Sequence, residues 1–497
     1  MYMKKLATIV AFLGAMLPAT AQQTLSLQDC REMALSNNKQ LNISKLNEKV
    51  AYNTQKAMRT KYLPKVDAIG GYQFFSREIS LLNSRQKDAL THLGSNSIGS
   101  LSTGASDLIT SLVQQGLLTP QMAQQLAGLL QQYSPTLGSL GDQIGTKIKN
   151  AFRTDTHNIW SGSVMVREPV YMGGAINAAN KIADINEQLA ANGVDFTTQT
   201  TLYHTDQAYW MVVSLKQKED LVYSYHKLIK KLSDDVHKMI AQGVATKSDG
   251  LQVDVKVNEA DMQVTQVEDG LSLAKMYLCQ LCGLPLDEDI HLADENKKNL
   301  DSSSFPIVQP TDSDLMTRPE IRILQNTIDI SKQNTKMIRA EYLPHVLATG
   351  GYLVSSPNTF NGFQKQIAGV WTLGLTVEVP LWSWNEGSYK VRASEAASNI
   401  AEMQIADTRE KIQLQISQSR FKIKEAHKRL VMTNQNLKSA DENLRSADLG
   451  FKEGIMKVTD VMRAQTAWQQ AQSEKIDAEV DLKLAQTELE KALGILR

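Results

Sequence analysis

Two cysteines one helical turn apart have the spacing that most directly suggests chemistry. Cys279 and Cys282 form a C-x-x-C sequence, a pattern used by redox-active dithiols. The motif stands near the end of a helical pattern beside Gly283 and Pro285, and no strand pattern adjoins it. We therefore favour two small apolar helix residues over a redox pair. The third cysteine, Cys30, stands alone in the sequence.

The histidines show no arrangement typical of a metal site. His226 and His237 lie on one helical pattern, but metal ligands on a helix stand three or four positions apart. The sequence contains no phosphate-binding loop, nucleophile elbow or zinc signature. Basic and acidic side chains balance at 53 each, so no basic surface indicates nucleic acid as a partner. We predict that the protein is not an enzyme and binds no cofactor or metal.

The elements that would position functional residues occur twice in the chain. Residues 58–72 read MRTKYLPKVDAIGGY, and residues 338–352 read IRAEYLPHVLATGGY. Five further pairs share one spacing of 211 positions: Trp160 and Trp371, Pro169 and Pro380, Gly243 and Gly454, Asp249 and Asp460, and Gly283 and Gly494. The two opening segments stand 280 positions apart, which places an insertion of about 70 residues in the first copy.

The N-terminus has the pattern of an export signal. Lys4 and Lys5 precede an apolar run, Leu6 to Leu17, that is too short for a retained membrane helix. The residues that follow, Ala19-Thr20-Ala21, fit a cleavage site.

Together with the duplication, this signal divides the chain into a signal peptide (1–21), a first repeat (22–285), a periplasmic linker (286–312) and a second repeat (313–497).

Each repeat is expected to contain two strands and a helical hairpin. In the first repeat we expect strands near 65–75 and 159–169, an insertion at 76–155 and a hairpin at 171–285. In the second we expect strands near 345–355 and 370–380 and a hairpin at 383–497. The long helices, 175–241 and 386–453, contain no proline and almost no glycine, and each would be roughly 100 Å long.

The four strand stretches alternate apolar and polar side chains. Their apolar faces would carry Val66, Ala68, Tyr72 and Phe74; Trp160, Gly162, Val164 and Val166; Val346, Ala348, Tyr352 and Val354; and Trp371, Leu373, Leu375, Val377 and Val379. Strands of about ten residues with one apolar and one polar face suit a barrel wall between lipid and water. The same alternation also occurs in an ordinary half-buried sheet.

Four strands cannot close a sheet in a bilayer, because open edges would leave backbone groups without hydrogen bonds. Several copies of the chain would then share one barrel. Two copies would give a lumen filled by side chains, whereas three would give about twelve strands with room for water. A coiled-coil scaffold without a pore is the alternative, although it does not explain the strands that precede each hairpin.

From about Leu25 to the C-terminus, the sequence resembles the TolC-like outer-membrane efflux proteins. The most specific features are the Tyr-Leu-Pro strand starts at Pro64 and Pro344, the strand ends at Pro169 and Pro380, and two hairpin tips. The tips read Gly243-Val-Ala-Thr-Lys-Ser-Asp249 and Gly454-Ile-Met-Lys-Val-Thr-Asp460-Val-Met-Arg-Ala-Gln465.

The resemblance implies a mainly α protein with a small β part, built by internal duplication. It implies a homotrimer whose long hairpins form a periplasmic tunnel and whose strands form a shared twelve-stranded barrel among outer-membrane lipids, four per chain. It further implies docking to a periplasmic adaptor protein and to an inner-membrane transporter of the RND or ABC type. The chain would passively conduct substrates outward in efflux or in type I secretion.

Within this resemblance, the tips would gate the tunnel. Gly243 and Gly454 would allow the turns, while Val244 and Ile455 would offer apolar contacts to an adaptor. The aspartates, Asp249 and Asp460, would begin the returning helices, and two roles stay open for them: helix capping and a ring of carboxylates facing the lumen.

Two tip residues depart from the family pattern. Arg463 stands one turn after Asp460, where a second acidic residue is expected, and the two can pair on one helix face. Phe451 stands where a tyrosine could hydrogen-bond across the gate. We therefore expect a closed tip, which also includes Lys457, to be held more by apolar packing than by polar links.

Two further features follow from the duplication. Arg167 and Glu378 occupy equivalent positions on the polar faces, and we expect either alternation around the barrel base or two independently solvated charges. The insertion suggests short amphipathic helices broken at Pro120 and Pro135. It would lie at the cell exterior, as a lid over the pore or a contact for an outside partner.

Overall fold

The structure is a computed structural model that describes residues 24–77, 82–92, 101–114, 118–132, 139–151, 157–297, 299–300, 318–358, 360 and 366–496. The predicted signal peptide, Pro135 and much of the predicted linker lie outside these residues. The chain forms a helical unit, from the described parts of 1–58, 177–336 and 388–497, and a strand-containing unit, from 59–176 and 337–387.

The described helices are Leu27–Asn37 (α1), Lys39–Arg59 (α2), Ser84–Thr91 (α3), Leu101–Gln114 (α4), Pro120–Gln132 (α5), Ser139–Ala151 (α6), Ala175–Ala241 (α7), Lys247–Cys282 (α8), Pro319–Ala340 (α9), Glu386–Lys452 (α10) and Val458–Leu493 (α11). The described strands are Thr24–Leu25 (β1), Lys65–Phe74 (β2), Asn158–Met172 (β3), His291–Leu292 (β4), His345–Ser356 (β5) and Ala368–Glu378 (β6). The mainly α fold with long hairpins, predicted from the sequence, is confirmed. None of the described helices is both long and apolar enough to cross a membrane.

The two long hairpins match each other in length. Their first helices, α7 and α10, each have 67 residues, and their returning helices, α8 and α11, each have 36. Both returning helices end at a left-handed glycine, Gly283 with φ 74° and Gly494 with φ 71°. Glycine suits this position because it carries no Cβ to clash with the preceding turn. The duplication therefore sets both the length and the ends of each hairpin.

Two shorter helices, α1 and α9, pack against the hairpins within the helical unit. The largest apolar cluster joins Cys30 of α1 to Tyr209 of α7, Leu278 of α8 and Val480 of α11. A short parallel sheet adds to this region, since β1 pairs with β4 through Leu25 and Leu292. A second cluster runs along α10 and α11 and includes Ile321 of α9. In each repeat, a shorter helix thus packs against part of the hairpin.

The main sheet is antiparallel and has the strand order β2-β3-β5-β6. Its register pairs Tyr72 with Trp160, Val164 with Tyr352, and Tyr352 with Trp371. Because side chains alternate along a strand, this register places the four predicted apolar faces on the same side of the sheet. Within the described residues, β2 and β6 are the two edges of this sheet.

The strand β3 continues three residues beyond Pro169, where the sequence predicts a strand end. Pairing with β5 shifts between Pro169 and Tyr171, so the strand passes the proline at an irregularity and runs on to Met172. Proline has no backbone N–H to donate, and strands commonly accommodate it at such a shift.

The described parts of the insertion have a small core of their own. Leu90 of α3, Leu112 of α4 and Ile148 of α6 are buried together with Leu82 and Leu118. As predicted, Pro120 interrupts the helical pattern: α5 begins there, where a missing N–H costs nothing. The insertion therefore buries its apolar residues internally instead of exposing all of them as a simple loop.

Candidate functional site

The first hairpin tip is a tight turn closed by backbone hydrogen bonds. The Val244 N–H donates to the Met239 carbonyl at 2.9 Å, and the Gly243 N–H donates to the Ile240 carbonyl at 3.0 Å. Gly243 has φ 72°, the left-handed conformation that this pattern requires. The turn leaves Val244 69% exposed.

The second tip repeats this geometry. The Ile455 N–H donates to the Gly450 carbonyl at 2.8 Å, and the Gly454 N–H donates to the Phe451 carbonyl at 3.0 Å. Gly454 has φ 71°. The residue that follows, Ile455, is 83% exposed. Both tips therefore present an apolar side chain to the solvent immediately after the turn.

The two aspartates behave differently at the start of the returning helices. In the first repeat, the Thr246 side chain accepts from the Asp249 N–H at 3.2 Å, and the Asp249 carboxylate accepts from the Thr246 N–H at 3.0 Å. These reciprocal bonds form a capping box. In the second repeat, Lys457 occupies the capping position and makes no side-chain cap bond. Asp249 is thus part of a cap, while Asp460 is available for other contacts.

Replacing Thr246 with alanine should loosen the first tip. We expect a loss of about 1 kcal/mol in the local opening free energy, and hence amide exchange about fivefold faster, at the start of α8. Hydrogen-exchange mass spectrometry of tip peptides would measure it. Lys457→Ala, at the equivalent position, is the matched control and should leave exchange at the start of α11 unchanged. Equal acceleration in both variants would contradict the capping argument.

The capping bonds also make the first tip sensitive to acid. Hydrogen bonds from Thr246 lower the pKa of Asp249 from its ordinary value of 3.8. A carboxylate with a depressed folded-state pKa contributes stability above its unfolded pKa. This contribution is lost as the pH falls from about 3.8 through the lower folded value. The difference in exchange between wild type and Thr246→Ala should therefore shrink on acidification through this range.

The two departures in the second tip lie in different surroundings. Arg463 approaches Asp460 at 3.8 Å, with their side chains 80% and 41% exposed, so this ion pair contributes little. Phe451 instead packs against a buried apolar cluster of both repeats that includes Leu232, Val253 and Val461. The tips are thus joined within one chain chiefly by apolar contact.

A groove of about 730 Å³ runs between the first helices of the two hairpins close to the tips. Its apolar lining includes Leu232, Val244 and Phe451, and its charged lining includes Asp448 and Lys452. A further lining residue, Gln465, is only 4% exposed, and its Oε1 atom accepts no hydrogen bond within the described part of the chain. The tips are predictable from the sequence, but this groove is not, because residues of both repeats form it.

The predicted charge pair is separated within one chain. Arg167 on β3 forms an ion pair with Asp67 on the neighbouring strand β2. Glu378 is the last residue of β6, the edge strand, where it lies opposite His345. The sequence did not identify Asp67 as a partner, because the pairing of β2 with β3 spans the insertion.

The four prolines predicted to mark strand starts and ends differ in their positions relative to the strands. Pro64 and Pro344 each lie one residue before a strand, β2 and β5 respectively. Pro380 lies two residues beyond the end of β6, whereas Pro169 lies inside β3. All four belong to the strand-containing unit.

The apolar face of the main sheet is widely exposed. Trp371, Leu373 and Leu375 of β6 are 74%, 81% and 64% exposed. Tyr72 and Trp160 pack against each other on the same face, with ring centroids 4.6 Å apart. An exposed apolar surface of this kind indicates contact with lipid or with another protein.

No group of three or more histidine, cysteine, aspartate or glutamate side chains suited to a metal ion occurs among the residues that the structure describes.

Two buried contacts between polar or thiol groups are not predictable from the sequence. Arg31 reaches Asp206 of α7, and Cys30 lies beside Cys282. In both cases the partners come from distant parts of the chain, so no local pattern reveals them.

The chain is similar in sequence to outer-membrane efflux and secretion proteins. Residues 312–495 match the family model described as outer membrane efflux protein. The chain is 26% identical over 183 residues to the alkaline protease secretion protein AprF of Pseudomonas aeruginosa. This match covers 36% of the chain and 37% of AprF, so it spans well under half of that relative.

Solved structures with the same fold extend over nearly the whole chain. The outer-membrane channel OprN superposes with a TM-score of 0.69 at 14% identity, covering 94% of this chain and 89% of OprN. The outer membrane protein VceC of Vibrio cholerae superposes with a TM-score of 0.67 at 14% identity, covering 94% and 96%. The match to the family model thus falls on the second repeat, whereas the similarity of fold extends over 94% of the chain.

Proposed function

Because the chain is related to the TolC-like outer-membrane efflux proteins, we propose that it is the outer-membrane exit duct of a tripartite efflux or type I secretion system. It conducts substrates passively from an inner-membrane transporter of the RND or ABC type, through a periplasmic adaptor, to the cell exterior. The transporter supplies the energy, and the chain supplies a gated path. AprF is named a secretion protein, which supports this role.

The observation that carries the proposal is the exposed apolar face on a sheet with two open edges. In a bilayer, each backbone group left without a hydrogen bond at β2 or β6 would cost roughly several kcal/mol of free energy. The sheet must therefore close. Three copies close it when β6 of each copy pairs with β2 of the next, which gives about twelve strands and space for water. The apolar face then meets lipid and the opposite face lines the pore.

The hairpins form the periplasmic tunnel in this assembly, and their tips close it at rest. The buried cluster around Phe451 joins the two hairpins of one copy through apolar side chains. The exposed pair of Asp460 and Arg463 adds little to closure, since both charges remain largely in water. Closure by apolar packing therefore accounts for both departures from the family pattern.

The tips also supply a place for the adaptor. The groove between α7 and α10 is lined by apolar side chains, by charged side chains and by the Gln465 Oε1 acceptor, which accepts no hydrogen bond from any described residue. Val244 and Ile455 extend this apolar surface at the tips. An adaptor segment with apolar residues and a hydrogen-bond donor would fit the groove.

We place Arg167 and Glu378 at matching depths of the barrel wall, as the duplication implies. Arg167 already balances Asp67 of its own copy, so alternation with Glu378 spreads both signs around the barrel base. Like charges at these positions would repel one another.

Size and conductance test the duct directly. The protein extracted from the outer membrane should run as a heat-labile species of three chains, and it should give conductance steps in a planar bilayer. A monomer that is soluble without detergent would overturn the proposal and favour a periplasmic coiled-coil scaffold.

Single substitutions separate the two ways of closing the tips. Phe451→Ala should raise the resting conductance severalfold, because it removes a ring from the apolar cluster. Asp460→Ala should change it by about twofold at most, because an exposed ion pair three positions apart on one helix is worth about 0.2–0.5 kcal/mol. Planar-bilayer recordings at equal protein input provide the measurement. A large opening caused by Asp460→Ala, with Phe451→Ala near wild type, would instead support a polar gate.

A further inference from the structure

All three cysteines of the chain lie in one buried cluster. Cys30, Cys279 and Cys282 are each 0% exposed and carry free thiols. The Cys282 Sγ lies 3.6 Å from the carbonyl oxygen of Cys30, although 252 positions separate the two residues. The Cys279 Sγ points elsewhere, toward the Glu288 carbonyl at 3.9 Å. The C-x-x-C sequence is therefore not an isolated pair, since one of its members meets Cys30.

The end of α1 is held firmly against the end of α8. The Asn37 side chain donates to the Cys282 carbonyl at 3.3 Å, and the Asn38 side chain donates to the Leu281 carbonyl at 3.2 Å. These bonds satisfy carbonyls that a helix end leaves without intrahelical partners. Gly283 is packed so closely that a Cβ there would lie 2.5 Å from the Asn37 Cβ. Such docking holds α1 against the end of α8, where Cys282 lies.

We propose that Cys30 and Cys282 form a disulfide bond that joins the N-terminal helix to the end of the first hairpin, with Cys279 left as a free thiol. The inference rests on the export that the proposed function requires, because disulfides persist in oxidising compartments. The two partners pack in one apolar cluster, which would shield the bond from reductants. A link across so long a loop would strongly restrict the unfolded chain.

Cys282 is the thiol suited to begin this reaction, because its hydrogen bond with Cys30 raises the pKa of Cys30. Hydrogen bonding with Cys30 lowers the pKa of Cys282, whereas burial raises the pKa of Cys279. A lower pKa provides more thiolate, which is the reactive form. Cys282 is therefore the better nucleophile of the C-x-x-C pair.

The oxidant is a disulfide-carrying thiol oxidase of the periplasm. It acts as α1 docks, when Cys30 has reached Cys282 but the cluster is still open to the oxidant. The Cys282 thiolate attacks the oxidant's disulfide, which forms a mixed disulfide and releases the oxidant's other sulfur as a thiolate. Cys30 then loses its proton and attacks the Cys282 sulfur, which breaks the mixed disulfide. The chain gives up two electrons and two protons, and the oxidant leaves as a dithiol.

Thiol counting on the full-length protein tests the bond. Envelope fractions would be quenched in acid, denatured and treated with a maleimide that adds a fixed mass to each free thiol. We expect one labelled thiol in wild type before reduction and three after it. Cys279→Ser, the matched control, should show none before reduction. Cys30→Ser and Cys282→Ser should each show two.

Two results would overturn the inference. Three labelled thiols in unreduced wild type would show that no bond forms, and a Cys30→Ser protein without any free thiol would assign the bond to Cys279 and Cys282. If the same preparation is a trimer in the outer-membrane fraction, the proposed duct stands while the disulfide fails. A chain absent from the envelope would instead count against the duct.

Discussion

Leu373→Arg is expected to reduce the recovery of the proposed outer-membrane trimer by at least about tenfold. Leu373 lies in the middle of β6, is 81% exposed and points to the apolar face of the sheet. An arginine on the lipid face of a barrel costs about 2–4 kcal/mol at the membrane midplane, and a trimer would carry three of them. Fractionation followed by unheated gel electrophoresis measures the recovered trimer.

The neighbouring residue provides the matched control for this prediction. Thr372 is on the same strand and is also exposed, but it points to the opposite face, where it lies across from Gly351. In the proposed barrel this face lines the water-filled pore, so Thr372→Arg should assemble at near wild-type levels and mainly alter conductance. Equal recovery of both variants would mean that the apolar face does not meet lipid.

Arg31→Ala should destabilise the helical unit by about 3–5 kcal/mol, because it leaves a buried carboxylate without its partner. Two nitrogens of Arg31 contact both oxygens of Asp206, at 2.8 and 2.5 Å, and the Asp206 side chain is 0% exposed. The hydrogen bond with Asp206 also raises the pKa of Arg31. Thr487 of α11 adds only one weak bond to Asp206, at 3.3 Å. Urea unfolding followed by circular dichroism provides the measurement.

An exposed ion pair in the same unit is the control for this loss. Arg322 contacts Asp195 at 2.8 Å, with side chains 41% and 55% exposed, and Arg322→Ala should cost less than about 1 kcal/mol. A double variant, Arg31→Met with Asp206→Leu, should recover much of the stability, since it removes both charges together. A similar small loss for Arg31→Ala and Arg322→Ala would contradict the argument.

Periodicity explains why much of this fold is predictable from sequence. The apolar faces of the four strands follow from alternation alone, and the long helices follow from stretches without proline. The duplication then locates the tips, because Gly243 and Gly454 stand at equivalent positions. The capping box at the first tip also has a local signature, Thr246 followed three residues later by Asp249.

Contacts between distant segments set the limit of prediction. Arg31 with Asp206, and Cys30 with Cys282, depend on how the N-terminal helix docks, and no local pattern encodes that docking. The pairing of Arg167 with Asp67 depends on strand register across the insertion. Pro169 suggested a strand end, yet the ladder shifts at that point and β3 continues. The groove near the tips needs side chains from both repeats, so neither repeat alone predicts it.

The equal helix lengths of the two hairpins carry a consequence for engineering and for evolution. Removing two helical turns from α7 and α8 alone would shorten one hairpin by about 10 Å and stagger its tip relative to the other. In the proposed tunnel, where the hairpins of three copies would alternate around a ring, a staggered rim would leave gaps that apolar side chains could not bridge. Deletions or insertions that change the length of the proposed tunnel should therefore preserve function only when they occur in pairs, one in each half of the gene.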